Sequence, residues 1–312
     1  MKTLELIVPC FNEQEVIHAF YEKVSDVLST IKNYECSFIF VDDGSRDNTL
    51  EEIKRISQTD SKVKYISFSR NFGKESAMLA GLSFSTADYV GIIDADLQHN
   101  PDLIPEMLLC LESGEYDIAA ARRIDRGGEA KIKSAFSKLF YKIVNRMSDV
   151  KIADGAQDFR IMTRKVVDSI ISMREYNRFS KGIFSWVGFN TKWFEHENSE
   201  RVAGKSKWSF WKLTTYAIDG IINFSTVPLK ISFLCGAFVS FAGIVYALYI
   251  IIRTIVNGSD VPGYPSLFSA ILIIGGLILL SLGIIGEYLA RIYTEVKDRP
   301  SFIVDETNIV KK

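Results

Sequence analysis

Residues 89–101 read YVGIIDADLQHNP, an apolar run that ends at two aspartates separated by one residue. The run Tyr89–Ile93 is short, uncharged and rich in β-branched side chains, which predicts a buried strand. Similar apolar runs recur at Leu4–Pro9, Cys36–Val41, Val63–Ser67 and Asp117–Ala121. Helical patterns lie between them, so the sequence predicts an α/β fold with a parallel sheet that helices cover on both faces.

The predicted strand ends carry polar residues, and in sheets of this kind ligands bind beyond the carboxyl ends of the strands. The clusters are Asn12-Glu13, Asp42-Asp43, Arg70-Asn71 and Asp94 with Asp96. The sequence contains neither GxGxxG nor GxxxxGK[ST], so it lacks the usual phosphate-binding loops. An aspartate-rich site binds a diphosphate through a divalent cation, and the oxygens of Asp94 and Asp96 suit Mg²⁺ or Mn²⁺.

Plainer interpretations of these aspartates stay open at this point. Asp94-x-Asp96 alone is also typical of a solvated turn or of a helix N-cap. The string Asp42-Asp43-Gly44-Ser45 is also compatible with a cap on the helix that begins near Asn48. A capping role for one of these residues would leave its neighbour available for a nucleotide.

The overall composition excludes some classes of protein. The 312 residues suggest two domains, or one domain with an appendage, and the formal net charge is −1. Proteins that bind nucleic acid are usually basic, so no nucleic-acid partner is expected. Four cysteines lie far apart without the spacing of a metal site, at positions 10, 36, 110 and 235. We expect these cysteines to be reduced and unpaired, as in a cytoplasmic protein.

Residues 231–252 and 266–286 contain no charged side chain. At about 1.5 Å per residue, each stretch is long enough to cross the roughly 30 Å hydrocarbon core, which predicts two transmembrane helices. Basic residues are more frequent outside this pair than between its two spans. They are Lys230, Arg291, Lys297 and Arg299 outside and Arg253 between. By the positive-inside rule, both termini are expected in the cytoplasm.

The chain begins with a strand pattern and not with an apolar signal segment. Residues 1–229 are therefore expected to form a cytoplasmic domain, residues 230–292 the transmembrane pair, and residues 293–312 a cytoplasmic tail. In that tail, Ser301–Asp305 predicts a short strand, which would pair with an edge of its own sheet or of a neighbouring subunit.

Two further stretches, near residues 131–147 and 206–226, combine lysines with aromatic residues at helical spacing. Basic amphipathic helices that contain Trp and Phe lie in the membrane interface, held by acyl chains and anionic headgroups. We expect interfacial helices that keep the domain close to the headgroups. Core helices with solvated lysines are the alternative.

Three strings carry a resemblance to a known family: residues 7–13 (IVPCFNE), 41–45 (VDDGS) and 94–99 (DADLQH). In this order they resemble the family 2 glycosyltransferases, and within them the polyprenyl-phosphate glycosyltransferases. That group includes dolichyl-phosphate mannose synthase and the bacterial bactoprenol glucosyltransferases. The resemblance covers nearly the whole chain. It implies a GT-A (Rossmann-like) fold and the inverting, metal-dependent transfer of one sugar from a nucleotide-sugar to a polyprenyl phosphate.

The resemblance also implies roles for residues on the donor side. The nucleoside would contact Pro9, Phe11 and Glu13, with Asp42 and Asp43 beside the uracil or ribose. The metal-bound diphosphate and the sugar would contact Asp94, Ala95, Asp96 and Gln98. Arg122 occupies the position of a donor-phosphate contact, and the adjacent Arg123 is an alternative for it.

On the acceptor side, residues 154–160 (DGAQDFR) resemble a family motif in which Asp158 is the catalytic residue near the anomeric carbon. Arg160 of that motif would face the acceptor. Residues 201–208 (RVAGKSKW) resemble a basic loop whose cations neutralise phosphate, namely Arg201, Lys205 and Lys207. Without the resemblance, Asp158 with Arg160 would be interpreted as a surface ion pair, and the lysines as a solvated basic face.

By resemblance, the substrates are UDP-glucose and undecaprenyl phosphate, and the enzyme is a homotetramer in the cytoplasmic membrane. Nucleotide donors of N-acetylglucosamine, galactose, mannose or formylated aminoarabinose stay open as alternatives. A processive polysaccharide synthase would need more membrane spans and a QxxRW motif, which the sequence lacks. A non-catalytic nucleotide-sugar-binding scaffold would not need acceptor-side residues such as Asp158 and Lys207.

Overall fold

The computed structural model of the chain describes residues 1–123, 153, 155–196, 222, 225–257 and 263–310. The interfacial helix that the sequence predicts near residues 131–147 lies outside these ranges. Nearly all of the second one, near residues 206–226, does so as well.

Eight strands in the described ranges form one sheet in the order β7-β5-β6-β4-β1-β2-β3-β8. Their bounds are β1 Lys2–Cys10, β2 Tyr34–Asp42, β3 Val63–Phe68, β4 Tyr89–Ile92, β5 Ile118–Arg123, β6 Ala156–Thr163, β7 Thr191–His196 and β8 Val304–Thr307. The first four strands are parallel, which confirms the α/β prediction. The predicted fifth strand, β5, also runs parallel to them, because β5 and β4 are both antiparallel to β6, which lies between them. The sheet contains two further strands that are antiparallel to these five, namely β6 and, paired with β3, β8.

In the part of the chain that the structure describes, six helices cover the two faces of the sheet. They are α1 Ile17–Ser29, α2 Thr49–Thr59, α3 Lys74–Phe84, α4 Ile104–Glu112, α5 Arg164–Ser172 and α6 Ser180–Trp186. Apolar residues of α1, α2 and α4 pack on one face, and those of α3, α5 and α6 on the other. Helix α3 lies so close to β1 that a Cβ at Gly81 would meet the side chain of Ile7 at 2.3 Å. This contact holds α3 closely against the central strands.

Two long helices follow the sheet domain, α7 Val227–Asn257 and α8 Tyr264–Val296, and they pack against each other. The predicted spans 231–252 and 266–286 fall within them. Large apolar side chains stand exposed on both helices, with Phe238 at 73% and Leu279 at 70% of their full exposure. Two segments, Val227–Ile250 and Ile273–Val296, are long and apolar enough to cross a membrane. Exposed apolar surface on this scale is typical of contact with lipid and not with water.

The C-terminal tail returns from α8 to the sheet. Strand β8 pairs with β3 of the same chain, with Ser67 opposite Glu306, so the sheet's own edge is the partner. The strand is Val304–Thr307 and begins later than the predicted Ser301–Asp305. Ahead of it, the ring of Phe302 stacks on Phe68 with centroids 5.2 Å apart. The tail therefore supports the end of β3, from which the loop 69–73 leads to α3.

Candidate active site

A cavity of about 570 Å³ opens at the carboxyl edge of the parallel strands. It is lined by Phe11, Asn12, Gly44, Arg46, Ser69, Arg70 and Asn71. Phe11, a predicted nucleoside contact, is in this lining. Pro9 lies in β1 opposite Val41, and the backbone N–H of Glu13 donates to Thr49 Oγ1 at 2.8 Å. Of the three predicted nucleoside contacts, Phe11 therefore lines the cavity, while Pro9 and Glu13 lie two residues before and after it in the chain.

Asp42 and Asp43 end β2 and are almost fully buried. Asp42 Oδ2 accepts a hydrogen bond from Ser67 Oγ at 3.1 Å. Asp43 Oδ1 accepts from the backbone N–H of Phe72 at 2.6 Å, and Asp43 Oδ2 from that of Gly73 at 2.9 Å. Neither carboxylate caps α2 within the described chain, so that alternative interpretation is wrong. Asp43 instead anchors the loop 69–73, which forms one wall of the cavity.

Burial dominates the ionisation of this pair. It raises the pKa of Asp43 to about 6, although the hydrogen bonds from Phe72 and Gly73 act in the opposite direction. Burial also raises the pKa of Asp42. The adjacent Gly44 has φ of +63°, and a Cβ there would lie 2.5 Å from the carbonyl carbon of Arg70. Only glycine fits this approach, which brings the β2 end against the loop 69–73.

Asp94 and Asp158 meet across neighbouring strands. Asp94 lies two residues beyond the end of β4, and Asp158 lies in β6, which pairs antiparallel with β4. Lys74, the first residue of α3, bridges them. Its Nζ lies 2.7 Å from Asp94 Oδ1, 2.9 Å from Asp94 Oδ2 and 2.5 Å from Asp158 Oδ2. Two strands and a helix thus bring two carboxylates and one ammonium together.

The charges of this cluster reinforce one another. Burial alone would raise the pKa of Asp158, but the attraction of Lys74 and Lys181 outweighs it and holds that pKa below its usual range. Asp94 behaves in the same way, since Lys74 and His99 lower its pKa against the effect of burial. Burial opposes the charge of Lys74, yet Asp158 and Asp94 raise its pKa above the usual value. All three groups are therefore charged near neutral pH.

The residues after Asp94 form a tight turn. Leu97 has φ of +57°, and the backbone N–H of Gln98 donates to Asp96 Oδ1 at 3.1 Å. Ala95 is buried in the core. His99 is also buried, with Nε2 3.3 Å from Asp94 Oδ2 and Nδ1 3.2 Å from Gln157 Oε1. The imidazole therefore fixes the orientation of the Asp94 carboxylate.

The donor set fits a divalent metal that shares its ligands with a substrate. Among the residues that the structure describes, no three His, Cys, Asp or Glu side chains group closely enough to hold a metal by themselves. Mg²⁺ in phosphate-transfer sites is commonly held by one or two carboxylates plus substrate phosphates. Asp94 and Asp96 could supply those carboxylates. The ammonium of Lys74 already stands against Asp94 as a cation, which shows that the position suits positive charge.

Arg160 and Arg122 have partners that the sequence did not reveal. The buried guanidinium of Arg160 lies 3.6 Å from the ring centroid of Phe184 and donates to the carbonyl oxygens of Gln157 and Asp158. It thus holds the backbone that carries Asp158, and it also lines a second cavity of about 320 Å³. Arg122 pairs with Glu195 of β7. Their predicted phosphate and acceptor contacts stay predictions, as do those of Arg201, Lys205 and Lys207, which lie outside the described residues.

Lys74 and His99 are the residues that sequence reasoning missed. His99 closes the string DADLQH, and Lys74 follows Arg70-Asn71 at the start of a helix, so both stand next to segments already singled out. A lysine at a helix N-terminus is unfavourable, because its charge opposes the helix dipole. This unfavourable position is the feature of the sequence that could have indicated a special role for Lys74.

The sequence matches two protein families. Residues 5–171 match the family described as "Glycosyl transferase family 2", and residues 227–292 match the "GtrB C-terminal hairpin". The hairpin match coincides with helices α7 and α8. The two matches therefore cover the sheet domain and the apolar helices separately.

Close relatives span almost the entire chain. A putative glycosyltransferase, CsbB, of Bacillus subtilis is 42% identical over 309 residues, covering 99% of this chain and 93% of the relative. An SfII prophage-derived bactoprenol glucosyl transferase of Shigella flexneri is 42% identical over 305 residues, covering 98% of each. Among solved structures, glucosyl-3-phosphoglycerate synthase from Mycobacterium tuberculosis, in complex with Mn²⁺, UDP-glucose and phosphoglyceric acid, matches with a TM-score of 0.47 and 17% identity. That match covers 71% of this chain and 78% of the synthase.

Proposed function

The chain belongs to glycosyl transferase family 2, and from that premise we propose that it transfers one sugar, glucose in the first place, from a UDP-sugar to undecaprenyl phosphate. The observation that carries the proposal is the meeting of Asp94 and Asp158 at the edge of the sheet where the 570 Å³ cavity opens. The bactoprenol glucosyl transferases among the relatives support the lipid acceptor and the sugar.

The proposed reaction is a single displacement. An oxygen of the acceptor phosphate forms a bond to the anomeric carbon while the bond from that carbon to the diphosphate breaks, so the configuration inverts and UDP leaves. A phosphate monoester has its second pKa near 6, so the attacking oxygen is mostly ionised at neutral pH. The reaction therefore needs little general-base assistance.

Asp158 acts in this proposal as an electrostatic and orienting catalytic residue. Its lowered pKa keeps it ionised, which makes it a weak base and a strong stabiliser of positive charge at the anomeric carbon. Arg160 positions it through the carbonyl oxygens of residues 157 and 158.

Asp94 and Asp96 would hold the divalent metal, Mg²⁺ or Mn²⁺, which neutralises charge on the leaving diphosphate. Phe11 and the loop 69–73 would bind the nucleoside in the cavity, with Asp43 holding the loop in place. Gln98 would adjoin the donor sugar. Arg122, Arg201, Lys205 and Lys207 are proposed to contact phosphate, with Arg160 toward the acceptor.

The protein is associated with a membrane through the α7–α8 hairpin. We place the catalytic domain and both termini on the cytoplasmic side of the inner membrane, because basic residues flank the hairpin at Lys230 and beyond Arg291. A homotetramer is proposed from the resemblance to bacterial members of the family.

The experiment is the transfer of radiolabelled sugar from a panel of nucleotide-sugars to undecaprenyl phosphate, scored as label in the organic extract. UDP-glucose is expected to give the most lipid-linked product. A different preferred donor would change the sugar assignment, whereas absence of product with every donor would favour the nucleotide-sugar-binding scaffold. Chelation of divalent metal should abolish transfer, and Mg²⁺ or Mn²⁺ should restore it.

A further inference from the structure

Asp94 and Asp158 are two negative charges that lie close together, with the ammonium of Lys74 between them. Carboxylates directly opposite each other on adjacent strands repel and destabilise the pairing. Here Asp94 follows the end of β4, Asp158 lies in the adjacent β6, and both contact one ammonium, so the two carboxylates lie close together. A positive charge between them is needed in the absence of any ligand, and the ammonium of Lys74 supplies it.

The position of Lys74 in its helix is electrostatically unfavourable, and the contacts with Asp94 and Asp158 offset that cost. As the first residue of α3, it lies at the positive end of the helix dipole, where a cation is unfavourable. The preceding loop is fixed by the bonds from Phe72 and Gly73 to Asp43, so the lysine stem starts from an anchored backbone. The side chain then extends to both carboxylates.

The ammonium also occupies space that a metal on Asp94 would require. Nζ lies within 2.9 Å of both Asp94 oxygens, so a metal ligated by that carboxylate and Lys74 would compete for the same oxygens. A single positive charge faces two negative ones, and a divalent ion would balance them more completely. The Lys74 side chain is 42% exposed, and its four-carbon stem has several rotatable bonds, so other rotamers can carry the ammonium away from Asp94.

We propose that Lys74 is an internal counter-ion that holds Asp94 and Asp158 together in the free protein and must release Asp94 before a divalent metal binds there. This inference rests on the proposed function. The donor diphosphate offers the released ammonium new oxygens, so that metal and nucleotide bind together and neither binds tightly alone. Lys74 is thus a positioning residue that makes the metal site conditional on the donor.

The test measures Mn²⁺ binding to the full-length protein in detergent, by the loss of the free Mn²⁺ signal in electron paramagnetic resonance. Lys74→Met is compared with the wild type and with Lys165→Met. The control removes a lysine that is also paired with a carboxylate, Asp117, but on α5 and away from the cluster. Without nucleotide, K74M is expected to bind Mn²⁺ at least about tenfold more tightly than the wild type, and K165M equally to it.

Addition of UDP provides a second readout. Binding linkage is reciprocal, so UDP should raise the Mn²⁺ affinity of the wild type at least about tenfold and that of K74M by a smaller factor. Lys74→Arg keeps the charge and should retain the dependence on UDP. If K74M unfolds, as judged by its melting temperature, Lys74→Gln, which also removes the charge but keeps a polar side chain, takes its place in the same comparison.

Two results overturn the role of Lys74: a Mn²⁺ affinity of K74M without UDP that is no higher than that of the wild type, or a wild-type affinity that UDP does not change. The proposed function fails separately, if the wild type transfers no sugar to undecaprenyl phosphate. Transfer by the wild type together with unchanged Mn²⁺ binding by K74M rejects the counter-ion alone.

Discussion

Two acidic pairs lie at the same edge of the sheet and differ in their partners. Asp42 and Asp43 at the end of β2 are buried and accept hydrogen bonds from uncharged hydroxyl and backbone N–H groups. Asp94 and Asp158 at the β4–β6 edge bind an ammonium. The pKa of each residue in the first pair is raised, and in the second pair it is lowered. Both pairs consist of aspartates at the same edge of the sheet, so their partners account for the difference. Asp43, which binds backbone N–H groups, anchors a loop, whereas Asp94 and Asp158, which bind an ammonium, keep their charge for a ligand.

The largest effect is expected from Asp158→Asn, which keeps the shape of the second pair and removes a charge. Turnover should fall by about 10²- to 10³-fold, because the amide cannot stabilise positive charge at the anomeric carbon. Donor binding should change by less than about threefold, since Asp94 remains with Lys74. Transfer of radiolabel to lipid and titration with UDP measure the two quantities. Wild-type turnover in D158N would remove Asp158 from the chemistry.

Asp43→Ala tests the first pair and should affect UDP binding more than turnover, the reverse of Asp158→Asn. The N–H groups of Phe72 and Gly73 lose their acceptor, which costs about 1–3 kcal/mol of stability when the groups stay buried. The loop 69–73 lines the cavity, so UDP affinity should fall by about tenfold while turnover at saturating donor changes less. The melting temperature and a UDP titration check this. Unaltered UDP affinity would separate the anchor from the nucleotide site.

The two kinds of carboxylate also differ in pH dependence. Burial raises the pKa of Asp43 to about 6 and that of Glu75 to about 7. The Glu75 carboxylate accepts a hydrogen bond from the backbone N–H of Ser180, which lowers its pKa against the effect of burial, while the charge of Asp158 raises it and that of Lys74 lowers it. A raised folded-state pKa gives stability that is complete below the unfolded value and is lost as pH rises through the folded value. Asp94 and Asp158, with lowered pKa values, give stability that is present above their ordinary pKa and is lost only in more acidic solution.

Glu75→Gln replaces this carboxyl group with an amide, which stays neutral at every pH, whereas Glu75 of the wild type ionises as the pH rises through about 7. Between pH 5 and pH 8, the melting temperature of the variant relative to the wild type is expected to rise by about 2–4 °C, which corresponds to roughly 1 kcal/mol. Melting curves across this range in constant ionic strength provide the measurement. A difference that does not vary with pH would mean that Glu75 is already ionised at pH 5.

The sequence was sufficient for elements whose signal is local. The parallel strands β1 to β4, helix α1 and the two apolar helices follow from hydrophobic runs and periodicity. The antiparallel β6 and the edge strand β7 were missed, because Gln157, Asp158 and Arg160 interrupt the apolar pattern of β6 and the pairing of β7 is with distant β5. A central strand tolerates such residues when they face a site or, like Arg160, find partners inside the protein.

The same limit applies to the site. The sequence was sufficient to predict that Asp42, Asp43, Asp94 and Asp96 lie at one edge of the sheet. Each follows a predicted strand, and a parallel sheet brings the carboxyl ends of its strands to the same edge. The pairing of Asp158 with Asp94 depends on the register of β6, and the bridge from Lys74 depends on the packing of α3 on β1. Neither is encoded in local spacing. The partners that distinguish the two acidic pairs therefore required the tertiary structure.

The smallest effect is expected from Phe302→Ala, which weakens the loop 69–73 from the side opposite Asp43. Phe302 stacks on Phe68, and Phe68 meets Phe72 edge to face at 5.7 Å, so the tail supports the residue whose N–H binds Asp43. Loss of one aromatic pair should cost about 1 kcal/mol and lower UDP affinity by less than about threefold. Ile303→Ala, at a neighbouring side chain that is 52% exposed, is the matched control and should change neither quantity. If F302A weakens UDP binding as much as D43A does, the tail and Asp43 hold the loop as one unit. If neither stability nor UDP binding changes, Asp43 alone anchors the loop.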